Sequence, residues 1–185
     1  SVLLWDALAG AYVPVNFAGP TLPVESLAID VAGTRLAAGG CLRARNKVTD
    51  RDLFDRGSAV DCERGGIWLW DLASGAAIGG ATEAHDQEVV DLNFSPDGAL
   101  LVSVSADGSV LRFATEGGLH DPRGLEDATI PAQAGAFSAD GLAIATVGCP
   151  REGCFTAELE LRLWAGDPLV AIGAPTGQHS PLPRG

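Results

Sequence analysis

A histidine, two serines and an aspartate lie close together near the middle of the chain, and their types could support acyl-transfer chemistry. These residues are His85, Ser103, Ser105 and Asp107. A serine nucleophile, a histidine base and an orienting aspartate make up a hydrolase triad. The same side chains can instead form a structural hydrogen-bond network. We favour the structural role, because no nucleophile elbow, phosphate loop or metal-binding histidine pair is present in the sequence. We therefore expect no catalytic site, cofactor or metal.

Four cysteines fall into two pairs, Cys41 with Cys62 and Cys149 with Cys154. Three states are open to them, namely two disulfides, four free thiols or metal ligands. A zinc site needs four converging ligands, and neither a C-x₂-C nor a cysteine–histidine spacing supports one. Disulfides would indicate an oxidising compartment or unusual thermostability.

The stretch between Cys41 and Cys62 is basic, although the chain as a whole is acidic. The net charge is −12, from 24 acidic and 12 basic residues. The apolar pair Leu53 and Phe54 is flanked by arginines, which is typical of an interface anchor. A solvated insertion is an equally good interpretation, because loops tolerate additional length. The candidate contact residues are Arg43, Arg45, Arg51, Leu53, Phe54 and Arg56.

The elements that must position these groups are short strands that recur along the chain. Four alternating segments end in or near an aromatic residue: Val2–Asp6, Ile67–Asp71, Val110–Ala114 and Leu161–Ala165. A turn and an apolar strand precede each of the last three, with the turns at Asp30–Gly33, Ser95–Gly98 and Ser138–Gly141. Asp-Gly and Ala-Gly pairs allow the positive φ that a tight hairpin needs. The repeat predicts an all-β chain of antiparallel sheets.

These repeats resemble the WD40 family. The clearest stretch is His85–Phe113, HDQEVVDLNFSPDGALLVSVSADGSVLRF, which has the family's order of a His, an apolar strand, S-P-D-G, a second strand, x-D-G and a third strand. The resemblance covers nearly the whole chain. It implies β-propeller blades of four antiparallel strands, labelled a to d from the central axis outward, and about three and a half such blades.

The repeat also predicts the domain boundaries. We expect a half blade at 1–20, a blade at 21–84 with a long insertion at 42–61, blades at 85–131 and 132–175, and the start of another blade or a linker at 176–185. Strand d is expected at Ala76–Thr82 in the first blade and at about Gly124–Ile130 in the second. Because a propeller closes with about 4 to 8 blades, we expect an incomplete arc. The remaining blades would come from the same parent protein, another chain or a second copy.

The resemblance implies a structural tetrad of His, Ser, Asp and Trp. Carried over by position, the tetrad contains His85, Asp107 and one of Ser103 or Ser105, while Phe113 replaces the Trp. Phenylalanine has no N–H group, so the last hydrogen bond of the tetrad is lost.

The strand assignment places each cysteine pair at the neck of an enlarged b–c loop, at 42–61 and 150–153. Facing strands bring Cα atoms within about 4.5–5.5 Å, which is close enough for a disulfide. Both pairs are therefore disulfide candidates.

The family resemblance implies a protein-interaction scaffold or sensor within a larger multidomain or multichain protein, similar to arrays in bacterial NTPases and proteases that act in signal transduction. The alternatives are a secreted or periplasmic disulfide-bearing adhesive propeller and a propeller enzyme, for which only Glu25 and Asp91 are channel candidates. The negative charge repels nucleic acid and anionic lipid, and no apolar run reaches the roughly 18 residues of a membrane span. We expect a protein partner, no nucleic acid or membrane, and a cytoplasmic location unless the cysteines are disulfide-bonded.

Overall fold

The computed structural model describes residues 2–46, 60–125, 132–148, 160–165 and 170–171. Within these ranges the regular structure is β-strand, arranged in one two-stranded and three four-stranded antiparallel sheets. No helix in these ranges is long and apolar enough to cross a membrane. The expected all-β fold of four-stranded blades is confirmed.

Each sheet follows the chain from its first strand to its last. The half blade consists of β1 (Leu4–Asp6) and β2 (Ala11–Val13). The first blade consists of β3 (Val24–Ile29), β4 (Arg35–Asn46), β5 (Val60–Asp71) and β6 (Thr82–His85). The second consists of β7 (Val89–Phe94), β8 (Leu100–Ser105), β9 (Val110–Ala114) and β10 (His120–Gly124). The third consists of β11 (Ala132–Phe137), β12 (Ala143–Gly148), β13 (Glu160–Ala165) and β14 (Val170–Ala171).

The turn between strands a and b is built alike in the three blades. Gly33, Gly98 and Gly141 have φ values of 67°, 70° and 73°, a region that residues with a Cβ atom rarely adopt. The hydroxyls of Ser95 and Ser138 each donate a hydrogen bond of 2.6 Å to the aspartate two residues later. The polar turn residues of the sequence repeat therefore fix the hairpins.

The core lies between consecutive blades. Strands β3, β7 and β11 contact one another in that order. One buried cluster joins Ala37 and Leu69 of the first blade to Leu92 of the second. Another joins Val102 of the second blade to Trp164 of the third. Because each cluster draws on two sheets, burial of apolar side chains holds the blades face to face.

The insertion predicted at 42–61 needs correction, because strand structure continues into it from both sides. Strand β4 extends to Asn46 and β5 begins at Val60, so each has twelve residues. The segment Leu42–Arg45 alternates apolar and charged residues, which is the period of a strand. The longer hairpin accounts for this alternation, and residues 47–59 lie outside the described ranges.

The outer strands also differ from the prediction. Before Thr82, the predicted strand Ala76–Thr82 contains one isolated bridge, between Ala77 and Trp70, and β6 starts at Thr82, where the predicted strand ends. In the second blade, strand d is β10, which ends at Gly124, where the predicted strand begins; residues 126–130 of the prediction lie outside the described ranges. Gly117 and Gly118 both adopt positive φ, which turns the chain back directly after β9.

Candidate functional site

His85 is the centre of a hydrogen-bond network that joins the first blade to the second. It is the last residue of β6 and pairs with Gly65, so the first blade extends one residue beyond the predicted boundary at 84. Its Nε2 atom lies 2.7 Å from Ser103 Oγ, and its Nδ1 atom lies 2.6 Å from Ser109 Oγ. Asp107 accepts a hydrogen bond from the Ser109 hydroxyl. Three members of this network, His85, Ser103 and Asp107, were predicted from the sequence, whereas Ser109 was not.

The network fixes the protonation pattern of His85. The Ser109 hydroxyl donates to Asp107, so its oxygen accepts from the Nδ1–H group, and the Ser103 hydroxyl donates to Nε2. Burial lowers the pKa of His85, although the charges of Asp107 and Asp86 oppose this effect. Histidine is therefore held in its neutral form at neutral pH.

Asp107 remains ionised in the same network. Burial raises the pKa of Asp107, but hydrogen bonds from the Ser109 hydroxyl and from the backbone N–H groups of Ser109 and Asp86 outweigh burial and lower it below the usual range. The Asp86 amide donates across the blade boundary to Asp107 Oδ2 at 2.7 Å. The carboxylate therefore fastens the β6–β7 connection to the second blade.

Ser103 and Ser105 have different roles. Ser103 is completely buried beneath His85, so a nucleophile at that position would have no route to a substrate. Ser105 is also buried, but it is not one of the two serines that hydrogen-bond to His85. Its hydroxyl donates to the Gln87 carbonyl at 3.3 Å, and its oxygen accepts from the Asp107 amide at 3.1 Å. Both serines secure loops around the network.

The aromatic residue of strand c makes different hydrogen bonds, or none, in the three blades. Phe113 is buried and has no polar atom. Trp164 donates from Nε1 to Thr146 Oγ1 at 2.9 Å. Trp70 donates to the Ala18 carbonyl at 3.0 Å. The buried indole N–H groups are thus satisfied by whichever acceptor the local sequence provides.

A second connection between the first and second blades centres on Arg35. Its Nε atom donates to Asp30 Oδ2 at 2.9 Å, and its terminal nitrogens donate to Thr115 Oγ1 at 2.8 Å and to the Gly98 carbonyl at 2.7 Å. The guanidinium also lies over the ring of Phe94, with its Cζ atom 5.4 Å from the ring centroid. Hydrogen bonds from Arg35 and Thr34 overcome the opposing effect of burial and lower the pKa of Asp30 to about 2.

The two channel candidates lie in different surroundings. Asp91 Oδ2 accepts a hydrogen bond of 2.8 Å from the Gly135 amide, so its carboxylate joins the second blade to the third. Glu25 is exposed on β3. Asp91 has a structural partner, and the two carboxylates do not share a described hydrogen bond.

The long β4–β5 hairpin is joined at its base by a disulfide between Cys41 and Cys62, with Cα atoms 5.7 Å apart. The two cysteines are not directly opposite, because Cys41 faces Gly65 and Cys62 faces Ala44 across a bulge. The bond therefore holds an irregular part of the ladder. The second candidate pair, Cys149 and Cys154, lies outside the described residues.

The hairpin projects from the same end of the blades as the His85 network, and we call this end the hairpin face. An open groove of about 500 Å³ lies there, between β5 on one side and the second blade on the other. Four charged residues from the two blades line it, together with polar and apolar side chains. The lining residues include Arg64, Glu83, Asp86, Asp107 and Leu111.

Arginines of the hairpin form ion pairs beside this groove. Arg64 bridges Asp86 and Glu83, with its Nε atom 3.0 Å from Glu83 Oε1. The Nη2 atom of Arg43 lies 3.3 Å from Glu83 Oε2, and Arg45 forms an ion pair with Glu63. The side chains of Arg43 and Arg45 remain 64% and 75% exposed.

Two of the predicted contact residues, Arg43 and Arg45, lie on the hairpin and face solvent. Arg64, which was not predicted, lies beside them. The other predicted contact residues are outside the described ranges: Arg51, Leu53, Phe54 and Arg56.

Comparisons with known proteins agree with the geometry. The family model of the WD domain, G-beta repeat, matches residues 80–111. Hydrazine synthase of Kuenenia stuttgartiensis has a similar structure, with a TM-score of 0.66 at 11% sequence identity, over 96% of this chain and 43% of that chain. This chain thus spans less than half the length of that relative. A comparison with curated proteins finds no match.

The sheets are blades of the β-propeller class, packed face to face around consecutive inner strands. Residues 80–111 match the model of a WD40 repeat, and the residues of the His85 network lie within this matched stretch.

Proposed function

We propose that this chain is a protein-interaction module, a scaffold or sensor of a larger assembly, that binds its ligand at the hairpin face. One observation carries the proposal: a disulfide-joined hairpin stands beside a rigid hydrogen-bond network, and a charged groove lies between them. Function commonly resides on loops held by a rigid scaffold.

Preorganisation of this face supports the proposal. The disulfide and the ion pairs of Arg64 restrain the hairpin, and the His85 network restrains the opposite side of the groove. A surface ordered before binding loses less conformational entropy on association. Exposed arginines, such as Arg43 and Arg45, are suited to charged and aromatic groups of a protein ligand.

We do not assign catalysis to this site. His85 has a completely buried side chain and hydrogen bonds on both ring nitrogens, which supports a structural role. A general base needs access to the proton that it removes. The expected absence of catalysis thus remains part of the proposal.

A second candidate is an adhesive propeller that works in the periplasm or outside the cell. The Cys41–Cys62 disulfide is the observation that favours it, because structural disulfides form mainly in oxidising compartments. Fractionation of the source cells would distinguish this candidate from the cytoplasmic scaffold. Both candidates use the same face for binding.

The proposal is tested by site-specific photo-crosslinking in extract of the source cells. A photoreactive residue at Arg45 is compared with one at Arg123, an exposed arginine that pairs with Asp121 on the outer strand of the second blade. We expect a protein crosslinked from position 45 and absent from position 123.

Affinity measurements with the purified crosslinked protein then test the site itself. Arg45→Glu should weaken binding by about tenfold or more, since interface arginines often contribute more than about 1.4 kcal/mol. The matched variant Arg123→Glu should leave the affinity unchanged. Equal crosslinking from both positions, no crosslink from position 45, or equal affinities of the two variants would refute binding at the hairpin face.

A further inference from the structure

The disulfide of the β4–β5 hairpin lies where the register of the two strands shifts twice. On one side of this segment Cys41 faces Gly65, and on the other side Ala44 faces Cys62. Each strand advances three residues between these two pairs, so the shifts cancel and neither strand has an extra residue. A regular ladder can therefore run through the segment without moving the pairs on either side of it.

A regular ladder excludes the disulfide. In that ladder Cys62 stays opposite Ala44, three residues along β4 from Cys41. Residues three apart in a strand point to opposite faces and are separated by about 10 Å, whereas a disulfide needs Cα atoms within about 7 Å of each other. In the structure the Cα atoms of Cys41 and Cys62 are 5.7 Å apart. The disulfide therefore depends on the irregular pairing.

The irregular pairing places two arginines opposite each other, Arg43 on β4 and Arg64 on β5. It skips Leu42 and Glu63. Like charges directly across a ladder destabilise it. Glu83 of β6 offsets the repulsion, since its Oε2 atom lies 3.3 Å from Arg43 Nη2 and its Oε1 atom lies 3.0 Å from Arg64 Nε. One carboxylate thus holds both arginines at the edge of the groove.

The regular pairing replaces this contact with a pair of opposite charges. It places Arg43 opposite Glu63 and returns Leu42 to the ladder opposite Arg64. Opposite charges across a ladder stabilise it. Arg43 and Arg64 then point to opposite faces, so Glu83 binds only one of them. Without the disulfide, charge and backbone pairing both favour the regular ladder.

Of the two sulfur atoms, that of Cys62 is the more accessible to a reductant. Cys62 is partly exposed, whereas Cys41 is buried. Ala44, which faces Cys62, lies between the exposed arginines Arg43 and Arg45. Their positive charge favours a thiolate at this position.

We propose that the Cys41–Cys62 disulfide is a reducible switch that sets the strand pairing beside the groove, with a dithiol as its reductant. One thiolate of the dithiol attacks the Cys62 sulfur, the S–S bond breaks, and Cys41 leaves as a thiolate and takes up a proton. The second thiol gives up its proton and attacks the mixed disulfide. Cys62 is freed as a thiol, and the dithiol is oxidised by two electrons. The ladder then becomes regular, and Glu83 releases one arginine.

The switch operates without a ligand, so it goes beyond the proposed binding. Reduction changes which charges a ligand meets at the hairpin face, and that consequence alone rests on the proposed function. An experiment on the chain without a ligand therefore separates a failure of the switch from a failure of the binding proposal.

The test is nuclear magnetic resonance of the isotope-labelled full chain before and after treatment with dithiothreitol. Directly opposite residues give short proton–proton contacts across a ladder. We expect contacts between Arg43 and Arg64 before reduction, and between Arg43 and Glu63 after it. Cys41→Ser/Cys62→Ser should show the second pattern with and without dithiothreitol. Unchanged amide shifts in β8 verify that the blades stay folded.

A charge variant tests what drives the change. Glu63→Lys should keep the pairing of Arg43 with Arg64 after reduction, because the regular ladder would then place two cations opposite each other. The matched variant Glu116→Lys, at an exposed residue after β9, should change its pairing as the wild type does. The inference is overturned by a disulfide that resists dithiothreitol in the folded chain, by Arg43–Arg64 contacts that persist in the reduced wild type, or by equal behaviour of the two lysine variants.

Discussion

At the residue scale, polar side chains in this protein join neighbouring blades. The Asp30–Arg35 pair and the His85 network both cross from the first blade to the second. Asp91 reaches from the second blade to the third. Among the described residues, no buried side-chain nitrogen or oxygen lacks a hydrogen-bond partner, so these groups hold the blades together at little desolvation cost. His85 and Asp107 could be predicted because the resemblance of His85–Phe113 to a WD40 repeat carries them over by position. Arg35 could not, because its partners Gly98 and Thr115 are distant in sequence.

Asp30 should make stability depend on pH in acid. Its pKa is lowered to about 2 from 3.8, so its contribution is complete above pH 4 and is lost as the pH falls toward 2. The difference corresponds to about 2 kcal/mol. Urea unfolding between pH 5 and pH 2 should show that the wild type loses more stability than Asp30→Asn. Parallel losses in the two proteins would contradict this role, since other aspartates with lowered pKa values are common to both.

At the element scale, the β4–β5 hairpin is the main departure from a plain blade. The alternation of apolar and charged residues in Leu42–Arg45 is typical of a strand, but the basic composition of the stretch favoured a loop. The bulge beside Cys41 could not be predicted, because it depends on how the two strands align. The sequence identified the cysteine pair, and the structure shows which part of the ladder the disulfide restrains.

Removal of the disulfide should destabilise the first blade. Cys41 and Cys62 are 21 residues apart, and closing a loop of that length contributes about 3 kcal/mol. We expect Cys41→Ser/Cys62→Ser to lose about this amount in urea unfolding, as should the wild type after reduction. The double variant is the control, because reductant should change it little. A wild type whose stability survives reduction, with free thiols verified by titration, would show that the bond contributes nothing.

At the scale of the whole molecule, the repeat predicted the blades because turn residues and alternating strands are local signals. The outer strands were less predictable. Strand β6 is held by Gly65, Gly66 and Ile67 of β5, and its position depends on this pairing more than on its own composition. The predicted incomplete arc implies an uncovered blade face, but the exposed residues could not be named from the sequence, since a strand-a residue such as Leu27 looks the same whether or not a neighbour covers it.

Amide hydrogen exchange tests most directly whether the chain is an arc of blades in which the inner strand of the first blade is uncovered. Strands β3 and β7 hold the same inner position, each paired to one strand of its own sheet, and they differ in cover, as Leu27 and Leu92 show. In the isolated chain we expect protection factors in β3 to be lower than in β7 by about tenfold or more, because local opening is easier where few apolar contacts are buried. Equal protection of β3 and β7 would contradict the open arc.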